Sequence, residues 1–367
     1  MRRLRPLIAL AAAAAGIATL AALSPRPADL PFAVQTVARF QSPWALAFLP
    51  DGRLLVTEHA GALHLVAPDG RRSPVPGLPP VLQSGQLGLH DIAPAPDFAR
   101  SRQVYLTHVA PTPGGGQLVL SRATLTEEPA LTGLTELWRQ PQEGGGGHPG
   151  GIIAFDPDGA HLFLTLGERT LDASAQNPDH ARGKLLRLTL DGAIPADNPQ
   201  AAAGGVRGAT WSTGHRNPYG LAFAPDGQLW LHEMGPRDGD ELNRIAPGAN
   251  YGWPEVSEGV DYSGEDIPDH ATRPEFTAPA LAWLPGIAPS GLAFYQGDLF
   301  EGWQGSALIG ALAGQSLIRV TFADGTPVEA DRWRFETRLR DVAVAPDGAV
   351  WLLEDGDPGR LMRVVPG

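Results

Sequence analysis

Residues 214–254 read GHRNPYGLAFAPDGQLWLHEMGPRDGDELNRIAPGANYGWP. A short apolar run, Leu221 to Phe223, leads into Pro225-Asp226-Gly227, and a second run, Leu229 to His232, follows at once. Asp-Gly between two apolar runs is a hairpin signal, because glycine takes the positive φ that a tight turn needs. The phrase returns as LAFLPDGRLLVTE from Leu46, IAFDPDGAHLFLTLGE from Ile153 and VAVAPDGAVWLLE from Val342. Weaker copies are IAPAPDFARSRQVYLTH from Ile92 and LAFYQGDLFEGWQGSALIGAL from Leu292. Six roughly even repeats, each long enough for four strands, predict an all-β chain: a six-bladed β-propeller of four-stranded antiparallel blades. A β-sandwich with chance turn sequences would not repeat the phrase this often.

The 367 residues are 43% hydrophobic and 19% charged, which is enough for a large core. Forty-five glycines and 36 prolines favour many short turns over long helices. A formal net charge of -12 offers no basic stripe to a phosphate backbone, so no nucleic-acid partner is expected. Arg2, Arg3 and Arg5 precede an apolar run from Pro6 to Leu23. That is the form of an export signal, with a retained N-terminal anchor as the alternative. Residues 1–28 therefore read as signal or anchor, and 29–367 as one catalytic propeller. A periplasmic or otherwise exported location follows from the first reading, and membrane association only from the second. No cysteine occurs, so no disulfide framework supports the fold.

Four loops place unusual polar residues just upstream of a repeat: Gln86 in SGQLGLHD, His148 in GGGGHPGG, Arg216-Asn217, and Arg338 with Arg340. In a propeller, equivalent positions converge on one end of the central channel. Arg338 and Arg340, two residues apart, point the same way on extended chain. Gly235-Pro236 followed by Asp238, Asp240 and Glu241 sets carbonyls beside carboxylates, which suits a hard cation such as calcium. The plainer readings are a loop histidine, a solvated basic edge and an acidic turn. Their combination favours a site. Asn250 to Ala280 reads as a long insertion with no strong strand.

The motifs GHRNPYGLAF, HEMGPRDGDELN, ANYGWP and IAPSGLAFY (from Ile287) occur in order within about Ser42 to Val365. In this they resemble the soluble PQQ-dependent sugar dehydrogenases, both the quinoprotein glucose dehydrogenases and the bacterial aldose sugar dehydrogenases. The resemblance implies oxidation of an aldose at its C1 hydroxyl to a lactone, by hydride transfer to PQQ. It implies that His148 is the base taking the hydroxyl proton and that Arg216 polarises the reacting quinone carbonyl. Asn217, Gln86 and Gln176 match cofactor-contacting amides, and Arg338 and Arg340 match arginines facing PQQ carboxylates. Gly235 and Pro236 match carbonyls that bind calcium, with Asp240 near the ion. Glu168 falls where the family has an aspartate orienting the base, and whether its longer side chain keeps that partnership is left open. Tyr219, Trp283 and Leu284 are expected pocket walls. Ala313 falls where relatives commonly carry a lysine, and the chain's single lysine is Lys184.

General chemistry agrees with these roles. Histidine, with an ordinary pKa near 6.5, accepts a proton at neutral pH. Charge developing on a quinone oxygen needs a fixed cation and a metal nearby. No GxGxxG loop opens a helix, so NAD has no visible seat. A calcium-dependent propeller lactonase and a non-enzymatic binding propeller are the alternatives. Paired arginines for a polyanionic cofactor argue against the first, and His148 with Arg216 against the second. The expected partners are an aldose and an unidentified electron acceptor.

Overall fold

The computed structural model describes residues 30–367, so the expected signal or anchor lies outside the described residues. Six four-stranded antiparallel sheets form a closed propeller, as the repeats predict. The inner strands are Pro43–Phe48, Leu89–Pro94, Gly150–Phe155, Pro218–Phe223, Pro289–Phe294 and Leu339–Val344, and each contacts the next around the channel. Each of the six sequence repeats begins on one of them. In the four full copies, the Pro-Asp-Gly glycines Gly52, Gly159, Gly227 and Gly348 have φ between 67° and 83°. Turn chemistry written in the local sequence therefore sets the length of each blade's first hairpin.

The ring is closed by chain ends. Phe32–Phe40 forms the outermost strand of the sixth blade, paired with Gly359–Pro366 in a register running from Phe32↔Pro366 to Phe40↔Gly359. Neighbouring blades share apolar cores, such as the one joining Leu118, Leu120, Leu162 and Leu164. A polar latch repeats between them. Thr57, Thr107 and Thr165 each donate a side-chain hydroxyl to an inner-strand carbonyl of the next blade, those of His90, Gly151 and Pro218. Asp91 and Asp341 do the complementary work by accepting the Ile153 and Leu46 amides, both at 2.8 Å. Burial raises these carboxyls, Asp91 to about 6 and Asp341 to about 7.

The 250–280 insertion is more ordered than its composition suggests. Tyr251 and Trp253 donate their amides to Thr213 and Gly214, and Val260 bridges Asp266 across a small hairpin. Among the described residues, no helix is long and apolar enough to cross a membrane.

Candidate active site at the mouth of the channel

The inner strands enclose a cavity of about 50 Å³ to which every blade contributes: Trp44, Asp91, Ile152, Tyr219, Ser290 and Arg340. Gln86, His148, Arg216-Asn217 and Arg338 all precede inner strands, so the topology brings them to one mouth. Local backbone chemistry then aims them. His148 has φ 44°, and Arg169 and Thr170, which follow Glu168, have φ 65° and 58°. Left-handed conformations at three non-glycine residues are costly, and such strain concentrates at functional sites. Glu168 N–H donates to the Arg216 carbonyl and Arg169 N–H to the His148 carbonyl, so one turn braces both functional loops.

Glu168 reaches His148 with its extra methylene. Its Oε1 lies 2.5 Å from His148 Nδ1, and its side chain is fully buried while the imidazole remains 12% exposed. His148 Nδ1 thus donates to Glu168, which leaves the lone pair on Nε2, an atom with no partner among the described residues and not sealed from solvent. The Gln86 Oε1 accepts the His148 amide at 2.8 Å and fixes the loop from the other side.

Arg216 is 6% exposed and donates Nη1 to the carbonyls of Gly235 (2.7 Å) and Met234 (3.2 Å). Its guanidinium lies 5.2 Å from the Trp253 ring and 5.7 Å from the Tyr262 ring. Its own Nε and the Oδ1 of the adjacent Asn217 are buried without partners, as is the Tyr219 hydroxyl in the channel. Orphaned buried polar groups of this kind mark a surface shaped for a polar ligand.

Arg338 and Arg340 converge on Asp355, a residue that sequence reasoning missed. Arg338 Nε donates to Oδ2 at 2.6 Å, and Arg340 donates Nε and Nη2 to Oδ1 at 3.0 and 2.6 Å. Burial pushes the Asp355 carboxyl up, but the two guanidiniums outweigh it and hold the carboxyl below its ordinary range. Both arginines are gripped along the Nε edge, so their outer Nη donors are left for another anion. Arg340 also lies 4.0 Å over Trp44, whose opposite neighbour is the stacked His59 ring at 4.1 Å. Trp44 is the second residue of the inner strand PWALAF, the position that Tyr219 holds in PYGLAF, and that equivalence was the signal that could have found it.

Other expected residues are placed differently. The Gln176 amide is spent on Asn250 and the Trp253 carbonyl, so it ties the insertion to blade 3. Asp240 accepts three amides, those of Gly235, Ile287 and Ala288, at 2.6 to 2.9 Å. Its carboxylate therefore shapes the loop that presents the Gly235 carbonyl, and burial raises its pKa. Among the described residues no cluster of three or more His, Asp or Glu side chains could hold a metal. Backbone carbonyls remain the available donors, and that of Gly235 accepts from Arg216.

Trp283, expected as a pocket wall, is a correction. Its indole is 4% exposed and donates to Glu329 at 2.7 Å, within the packing between blades 4 and 5. The outermost strand of a blade cannot present a side chain to the channel. Leu284 is 58% exposed just beyond that strand, and Tyr219 does line the channel. Ala313 is exposed in the turn after Ala307–Ala311. Lys184 is buried and donates to the carbonyls of Ala175 and Arg182 at 2.6 and 2.9 Å, and burial pushes its ammonium down to about 7. The single lysine thus pins the turn that carries Gln176.

The mouth of a closed six-bladed propeller thus gathers a carboxylate-held imidazole and three arginines. Residues 40–363 match the glucose / sorbosone dehydrogenase family, and the chain belongs to it. An aldose sugar dehydrogenase of Escherichia coli K12 is 41% identical over 342 residues, covering 89% of this chain and 91% of that protein. The apo-form crystal structure of the soluble E. coli aldose sugar dehydrogenase superposes with a TM-score of 0.86 at 37% identity, covering 92% of this chain and 100% of that one. A PQQ-bound aldose sugar dehydrogenase from Streptomyces coelicolor superposes with a TM-score of 0.73 at 31% identity, covering 91% and 98%.

Proposed function

We propose that this protein oxidises aldoses at C1 to lactones with PQQ as cofactor and calcium as its companion ion. The observation behind this reading is the His148 imidazole, held through Nδ1 by buried Glu168 with Nε2 left without a protein partner at the mouth. Relatives named for aldose and glucose oxidation, one of them PQQ-bound, support it. When bound, PQQ supplies the two-electron acceptor for the C1 hydride, and calcium adds Lewis acidity beside it.

The chain's own residues do the rest. His148 Nε2 takes the C1 hydroxyl proton, and Glu168 stabilises the imidazolium that forms. The outer donors of Arg338 and Arg340 hold cofactor carboxylates, with Asp355 fixing their direction. Arg216 and Asn217 offer polar atoms toward the reacting end, and the Gly235 and Pro236 carbonyls are the seat for calcium. Asp240 holds that seat in shape. The arginine-led apolar run before residue 29 supports export to the periplasm.

The deciding experiment is an absorption spectrum of metal-free apo-protein with PQQ and calcium, before and after an aldose is added. The expected result is reduction of the quinone on sugar addition, abolished by omitting calcium. A PQQ-loaded, calcium-replete protein whose spectrum ignores every aldose would overturn the reading. Full sugar-dependent reduction without calcium would remove the metal from it.

A further inference from the structure

The 260–266 hairpin is a built feature whose one large side chain is left in the open. Val260 bridges Asp266, Asp261 N–H donates to the Glu265 carbonyl, and Ser263 N–H donates to Asp261 Oδ1 at 2.8 Å. Its root is tied to the Gly235–Asp240 loop, because Val260 N–H donates to Asp238 Oδ1 at 2.9 Å. Tyr262 projects from this braced turn and is 69% exposed, more than any other large apolar side chain among the described residues. A tyrosine held in that position by a fixed turn exposes a wide apolar face to water, a cost that burial against a ligand removes.

Its position says which ligand. Arg216 has Trp253 on its sealed side, 7% exposed, and Tyr262 on its open side, with the Tyr262 ring 5.7 Å from the guanidinium. The same arginine acts electrostatically on Asp261 and Asp172, and Asp172 also feels His148 and Glu168. The ring and the carboxylates of exposed Asp172 and half-buried Asp261 therefore gather around Arg216, with Asp172 also within reach of His148. Small-molecule sites combine an aromatic surface with a few placed polar groups in this way. A pyranose has the matching chemistry: a C–H face for the phenol ring and hydroxyls that donate to carboxylates. The outward carboxylates at the ring disfavour the anionic cofactor as its occupant.

Resting on the proposed function, we infer that Tyr262 is the stacking platform for the aldose ring and sets affinity for the sugar rather than for the cofactor. The sequence had suggested Trp283 as an aromatic wall, and the structure turns that indole away. Tyr262 fills the vacated role from a different element.

The test uses PQQ- and calcium-loaded parent, Tyr262→Ala, Tyr262→Phe and Tyr262→Trp, with glucose and a reducible dye. Tyr262→Ala is expected to raise KM about tenfold with kcat within about threefold of the parent. Phe and Trp should restore KM, and PQQ affinity, titrated on the apo-proteins, and the melting temperature should stay unchanged. An unchanged KM for Tyr262→Ala overturns the inference. So does a loss that tracks weaker PQQ binding, which would give the ring to the cofactor. A parent that binds PQQ yet oxidises no aldose overturns the functional reading itself and this inference with it, and it is recognised before any variant is made.

Discussion

Two histidine–glutamate pairs lie on neighbouring blades and share their chemistry but not their fate. His148 and Glu168 meet through Nδ1 and Oε1 at 2.5 Å, and His215 and Glu233 meet through the same atoms at 2.8 Å. Both glutamates end the second apolar run of a Pro-Asp-Gly repeat, LTLGE in one and LWLHE in the other. The difference is at Nε2. In His215 it is capped by Ser212 Oγ at 2.9 Å, and the ring is fully buried against Tyr251. In His148 it has no partner among the described residues. Glu233 is in the strand and also accepts the Arg216 amide at 2.5 Å, whereas Glu168 lies two residues past its strand and reaches the mouth. The sealed pair positions Arg216, and the open pair keeps an atom available for chemistry. The proposed base is therefore the pair whose second nitrogen has no partner.

The strongest way to break this contrast is His148→Ala. Turnover should fall by about 10² to 10⁴, the range for losing a general base, while PQQ affinity of the apo-protein stays close to the parent's. Dye reduction above a tenth of the parent rate would mean that the open pair is not the base. His215→Ala should act on stability instead. It removes one of the hydrogen-bond partners of buried Glu233, at a cost of about 1–3 kcal/mol in denaturant unfolding. Turnover per folded, loaded molecule should drop less than tenfold. If that variant keeps its stability but loses turnover as completely as His148→Ala, the roles are reversed.

Asp355→Asn sharpens the comparison at the cofactor end, where one carboxylate again leaves donors free. Losing the clamp should weaken PQQ binding about tenfold in a titration of apo-protein at fixed calcium, because the arginines must then be ordered by the ligand. Tighter binding would show instead that Asp355 competes with the cofactor. Ser212→Ala should have the smallest effect, about 1 kcal/mol of stability with turnover intact, since it removes one buried hydrogen bond. A variant of this kind with altered turnover would place the sealed pair in the chemistry.

Sequence by itself determined the architecture, because its cause is local. A Pro-Asp-Gly turn between apolar runs specifies a hairpin, and four such phrases with two weaker copies leave a closed ring as the way to bury both faces of every blade. The same reading located His148, Arg216, Arg338 and Arg340, since position before an inner strand is a property of the chain order. What only the tertiary structure decided is which polar atoms are left over. Arg338 and Arg340 read as a pair, but the carboxylate that aims them is at Asp355, on the far side of a hairpin. Trp283 read as a wall until the fold set it against Glu329, 46 residues away. Gln176 read as a cofactor amide, yet its hydrogen bonds go to Asn250 and Trp253, more than 70 residues on. A side chain's function depends on which of its atoms remain unpaired, and pairing across tens of residues is set by packing that no local pattern encodes.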